Sequence, residues 1–245
     1  MQPVAFRVPT PRRVTLTLVC VVLTIVCLSS LGQFSKHVLG HDRLKGLVPL
    51  FYLDLESSVP TWYSSAALLL SSALLALIAA VKFRGGDAGG RDKFRWHWTA
   101  LAALFALLSL DEIAMIHELP IQPLREAYGT GGIWYYPWVG LGMLFVGAVG
   151  IAFTRFLLHL PRKTRWLMLA AGCVFVGGAI GVEMASGAAA DARGEESAAY
   201  AVIITLEESL EMLGIVIFIH ALVDYLASLS ADVRILFGPC GESAA

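Results

Sequence analysis

Apolar residues gather in six runs, at about 14–31, 62–81, 96–117, 139–160, 166–186 and 200–227. Each has the length of a helix that crosses a bilayer, roughly 20 residues. The pattern predicts an all-α integral membrane protein, one domain over 1–245 built as a six-transmembrane-helix bundle. Arg7, Arg12 and Arg13 before the first run also give the outline of a signal peptide. The run is long and no small-x-small cleavage site follows, so an uncleaved first helix is expected. Residues 32–61 read as a long connection carrying His37, His41, Asp54 and Glu56, with LVPLFYLDL lying along the interface. Pro60 and Trp62 open the second helix. Pro120 and Pro123 end the third and begin a loop through GTGG to the aromatic cluster WYYPW, which reads as an interfacial belt. Gly140, Gly142, Gly147 and Gly150 in the fourth run, and Gly177 and Gly181 in the fifth, are spaced to allow close helix approach.

Composition agrees: 57% of residues are hydrophobic and 15% charged, against about 25% charged in an ordinary soluble domain. The expected partners are the lipid bilayer and a lipid or small-molecule substrate. No nucleic-acid partner is expected, and a homo-oligomer is left open. Cys20, Cys27, Cys173 and Cys240 form no CxxC pair, so neither a disulfide framework nor a thiolate metal site is indicated. Thirteen Lys and Arg fall on the side of the N-terminus and five on the other. The positive-inside rule then places both termini in the cytoplasm. Fourteen of the nineteen Asp and Glu divide the opposite way, toward the outer side.

Several of these acids interrupt the apolar runs. LSLDEIAMIHE, 108–118, holds Asp111, Glu112, His117 and Glu118; Glu183 lies in the fifth run and Glu207, Glu208 and Glu211 in the sixth. An ionisable group at such depth costs about 2.5–3.5 kcal/mol and points to function. Counted from the ends of the predicted helices, Asp111, Glu112, Glu183, Glu207, Glu208 and Glu211 lie within roughly 5–17 Å of the outer boundary. No Lys or Arg occupies the outer half of a predicted helix, and His117 is the only base nearby. Such acids must hold protons or cations. Glu112, His117, Glu183, Glu208 and Glu211 are the candidate metal ligands, with Asp111, Glu118 and Glu207 as supporting or additional ones.

Spacing restricts the options. Glu207 and Glu211, or Glu208 and Glu211, can face one ion from a single helix. Glu112 and His117 are i,i+5, so a π-bulge or an unwound end near Pro120 is needed to unite them. The set resembles di-iron or di-manganese carboxylate bundles but lacks their Glu-x-x-His motif. A divalent ion is expected as cofactor, with Mn, Fe, Zn, Mg or Ca favoured over copper(I). His97, His159 and His220 read as ordinary structural histidines, and Walker, HExxH and Gly-x-Ser-x-Gly motifs are absent.

DLESSVPTWYSS at 54–65, LSLDE with HE at 109–118, GVEM at 181–184 and LEESLEMLG at 206–214 together resemble a group of uncharacterised bacterial polytopic membrane proteins. The resemblance implies a six-helix membrane protein and no particular activity. The first functional expectation is a membrane-embedded carboxylate/His metal-binding protein. It would serve as an enzyme for metal-activated hydrolysis or oxidation of a lipid or small molecule at the outer face. A proton- or cation-coupled transporter and an assembly or scaffold subunit are the alternatives.

Overall fold

The computed structural model describes residues 4–5, 10–41, 43–84, 92–229 and 236–237. Six rods run back and forth, each long and apolar enough to cross a membrane. They are α1 (Pro11–Leu39), α3 (Val59–Arg84), α4 (Arg95–Ala114), α6 (Trp138–His159), a composite fifth rod and α9 (Ala198–Leu229). The fifth joins α7 (Arg162–Val176) to α8 (Glu183–Arg193) through a π-helical stretch, Gly177–Val182. Two short helices, α2 (Leu47–Phe51) and α5 (Ile121–Tyr128), occupy the connections. Val4–Ala5 pairs antiparallel with Leu236–Phe237 at the end that carries both termini.

Several helices end elsewhere than the apolar runs suggest. α1 runs on through Gly32 to Leu39 and is capped by Gly40, whose φ is 72°. It therefore takes Lys36 into its last turns. The fifth rod likewise runs on to Arg193 and stops at Gly194. α4 stops early, at Ala114, where Met115 adopts a left-handed conformation. The segment after Pro120 is the helix α5 rather than open loop, since proline in a first helical turn removes no intrahelical bond.

α9 is the axis of the bundle. Of its most apolar window 61% is buried, against 6% for α6 at the periphery, and it packs on α1, α3, α7, the π stretch and α8. α3 and α4 form the tightest pair. Ser65 and Ser109 each donate a hydroxyl to the other's carbonyl, at 2.8 and 2.9 Å, and Ser72 donates to Ala102 O at 2.7 Å. Interhelical bonds of this kind contribute on the order of 0.6–1.7 kcal/mol each in lipid.

Close backbone approach depends on glycines that the spacing rule did not select. A Cβ at Gly214 would lie 2.7 Å from Phe175 N, and one at Gly178 would lie 2.9 Å from Glu207 O. Gly177 and Gly181 face open space, as do Gly147 and Gly150. The π stretch explains the shift of register: its wider turns rotate the helix face, so Gly178 meets α9 instead.

Candidate functional site

The connections 40–58, 115–137 and 194–197 lie at the end of the bundle opposite the termini, hereafter the acidic end. At the end of α4, the Met115 amide closes back on Asp111 O at 2.7 Å, with Met115 at φ 52°. A left-handed non-glycine residue costs about 1–2 kcal/mol. Asp111 offsets that cost by gripping the residue after next. Its Oδ1 accepts the His117 backbone N–H at 2.8 Å, and its Oδ2 lies 2.9 Å from His117 Nδ1. The helix end does unwind near Pro120, as i,i+5 spacing required, but it delivers His117 to Asp111 rather than to Glu112. Burial pulls the imidazole pKa down. The Asp111 hydrogen bond and charge outweigh it, helped by Glu118 and Glu56, and leave the ring above its ordinary value.

Glu112 takes its bearing from α9. Phe105 and Phe218 stack at 4.4 Å with ring planes 3° apart. Glu112 is one heptad from Phe105, and Glu211 one heptad from Phe218, toward the same end of two antiparallel helices. Seven residues are close to two helical turns, so the two glutamates belong to facing stripes at one level. The helix ends are staggered, yet the acids stay in register because the phenylalanine pair sets it. That pair also holds α4 and α9 apart, and the helices meet through side chains with little backbone approach.

In this layer the charges of Glu112, Glu207, Asp54 and Glu56 act on Glu208, and those of Glu208, Glu112, Glu207 and Glu183 on Glu211. Glu183, just beyond the π stretch, accepts the Trp138 indole N–H at 2.7 Å, and Trp138 in turn lies 4.7 Å from the His117 ring. Glu207 is 5% exposed and its Oε2 has no hydrogen-bond partner. Glu118 is exposed at the rim. Among the described residues, His117–Asp111 is the only ion pair that involves this layer. The acids are electrostatic neighbours but do not converge. No three His, Cys, Asp or Glu among the described residues are placed to hold a metal ion.

Two acids that read as part of a connection belong to the site. Glu56 is the charge that acts most strongly on Glu112, and Asp54 acts on Glu183, Glu207 and Glu208. The aromatic segment turns inward as well. Tyr136 donates its hydroxyl to Glu195 at 3.0 Å, Tyr200 donates to Asp54 at 3.0 Å, and the two hydroxyls are 3.1 Å apart. Two phenolic protons serve three contacts, so the chain is complete only when a carboxyl supplies the third. Asp54 is suited to do so: burial pushes its pKa up to about 6 against the pull of Tyr200 and Tyr52, and burial followed by the Glu118 charge pushes Glu56 to about 7. The sequence signal was the acid pair itself, D-x-E just before a proline-led helix.

A folded pKa raised above the unfolded one stabilises at low pH, and the contribution is lost as pH rises through the folded value. Amides in 47–56, corrected for intrinsic exchange, should therefore exchange faster at pH 8 than at pH 5. Asp54→Asn should remove part of that difference. Protection that stays constant over this range would contradict the assignment.

A family model described as Domain of unknown function (DUF8692) matches residues 13–226. The chain belongs to this family. The DUF8692 match takes in every residue of the site, from Asp54 to Glu211. No curated protein and no solved structure matches the chain.

Proposed function

We propose that this chain is a multi-pass protein of a bacterial inner membrane with both termini in the cytoplasm. On this reading its acidic end binds one or two divalent metal ions within reach of the outer face. The observation that carries the proposal is the Asp111–His117 pair. A carboxylate on one ring nitrogen fixes the imidazole and leaves the other nitrogen for a metal, the usual arrangement around histidine ligands. The charges of Glu112, Glu208 and Glu211 act on one another, and among the described residues the layer has no Lys or Arg partner of its own. A cation held there would neutralise repulsion that His117 relieves only in part. Glu183, Glu207, Asp54 and Glu56 are within electrostatic reach as additional ligands or hydrogen-bond partners. An ion so held supplies Lewis-acid polarisation or activation of water toward a lipid or small-molecule substrate. Carboxylate and imidazole ligands suit Mn, Fe, Zn, Mg or Ca.

A proton- or cation-coupled transporter is the second reading, favoured by the Glu195–Tyr136–Tyr200–Asp54 chain, which links an exposed carboxylate to the layer. Below the layer the path is closed by the Phe105–Phe218 stack and by Met212, Ile215 and Ile219, all buried. Further along α9, His220 Nδ1 is 2.7 Å from the Thr15 hydroxyl, and Asp224 pairs with Lys163. Closure on one side fits a site open to one face better than a transport route.

Elemental analysis of protein purified without chelator tests the proposal. Wild type should carry stoichiometric divalent metal and Glu208→Gln little. Asp111→Asn should weaken retention by about 10–100-fold while leaving the ligands in place. Metal-free wild-type protein would remove the metal reading and promote the transporter.

A further inference from the structure

Beside the acid layer, the same end of the bundle has a second, oppositely charged feature. A cavity of about 670 Å³ is lined by Lys36, Arg43, Lys45, Gly46, Pro49 and Glu196. Three of the five Lys and Arg at this end thus converge on one concavity; of the other two, Arg125 is committed to the Tyr135 carbonyl at 2.7 Å. Glu196 is the single carboxylate among the described lining residues, and it pairs with Lys36. The turn that brings Lys45 to the cavity has three successive residues with positive φ: Leu44 at 35°, Lys45 at 57° and Gly46 at 93°.

Apolar surface adjoins the cations. Leu44, Leu47 and Leu50 are all exposed, as are Phe34 and Val38 on α1. α1 has 29 residues, so it is roughly 44 Å long, against a hydrocarbon core of about 30 Å. Its last two turns, with Lys36, accordingly reach headgroup level. Exposed leucines with cations beside them at that depth are the arrangement of a segment lying in the interface.

We infer that this cavity binds the phosphate of an anionic glycerophospholipid, with the exposed leucines against its acyl chains. The inference rests on the bilayer reading above but not on the metal. A free anion would be served by the three cations alone and would have no use for the leucines.

The test is native mass spectrometry of the full chain in detergent with phosphatidylglycerol or phosphatidylcholine added at equal concentration. Wild type should retain phosphatidylglycerol at least about tenfold better, since each basic residue near a membrane surface contributes about 1 kcal/mol toward anionic lipid. The triple variant Lys36→Gln/Arg43→Gln/Lys45→Gln should lose that preference. Lys45→Gln alone, at an exposed position, should reduce it should the triple variant not fold. Leu47→Ser should weaken retention of both lipids. Equal retention of phosphatidylglycerol by wild type and Lys45→Gln would overturn the inference. So would its displacement by millimolar inorganic phosphate, which would mark a free-anion pocket. Carbonate extraction of membranes is read separately: release of the chain there would refute the bilayer reading instead.

Discussion

Chelator treatment of the purified protein is expected to lower its melting temperature, and adding the cognate divalent ion to restore it. In the acid layer the charges of Glu112, Glu183, Glu207 and Glu208 act on Glu211, and His117 is the one basic group among the described residues that acts on Glu112. Without an ion, these carboxyls must either repel one another or take up protons. Metal that binds the folded chain alone stabilises it by about 2.7 kcal/mol at a hundredfold excess over the dissociation constant. The ligands bind metal only when deprotonated, so the effect should be larger at about pH 8 than at about pH 6, and binding should release protons. Glu211→Gln removes a carboxylate that faces Glu112 across the gap, and its melting temperature should respond little to chelator or metal. A wild-type melting temperature indifferent to chelator and to Mn, Fe, Zn and Ca over that range would leave the metal site without support.

Gly214→Ala should be the most damaging glycine-to-alanine change among the described residues. The added Cβ would meet Phe175 N at 2.7 Å, Phe175 Cβ at 2.8 Å and Phe175 Cα at 2.9 Å. Two of these atoms are backbone, so no rotamer change relieves the clash and α9 must move off α7. Overpacking of this kind typically costs about 1–3 kcal/mol. Because α9 carries Glu207, Glu208 and Glu211, metal retention should fall with stability. Gly178→Ala, against Glu207 O at 2.9 Å, should act in the same sense. Gly147→Ala is the control: nothing lies within 4 Å, and alanine is favoured over glycine in a helix by about 1 kcal/mol. Thermal melts of the three variants in one detergent check the order. A Gly214→Ala protein as stable as Gly147→Ala would show that α7 and α9 do not meet there.

Six membrane-length helices and the presence of acids within them could be read directly from the chain, because hydropathy is a property of each residue taken alone. The same one-residue signals named Glu112, His117, Glu183, Glu208 and Glu211, since a charge in an apolar run is anomalous whatever surrounds it. Which faces meet is a property of pairs, and tertiary structure decided it. The Phe105–Phe218 stack puts Glu112 opposite Glu211 although α4 and α9 end at different heights. The π stretch makes Gly178 rather than Gly177 or Gly181 the contact with α9. The left-handed turn at Met115 sends His117 to Asp111, and folding of the 40–58 connection over the bundle end adds Asp54 and Glu56 to the layer. Each of these depends on groups distant in the chain coming within a few ångströms, where a hydrogen bond, a clash or a stacked ring changes the outcome and local pattern carries no record of it.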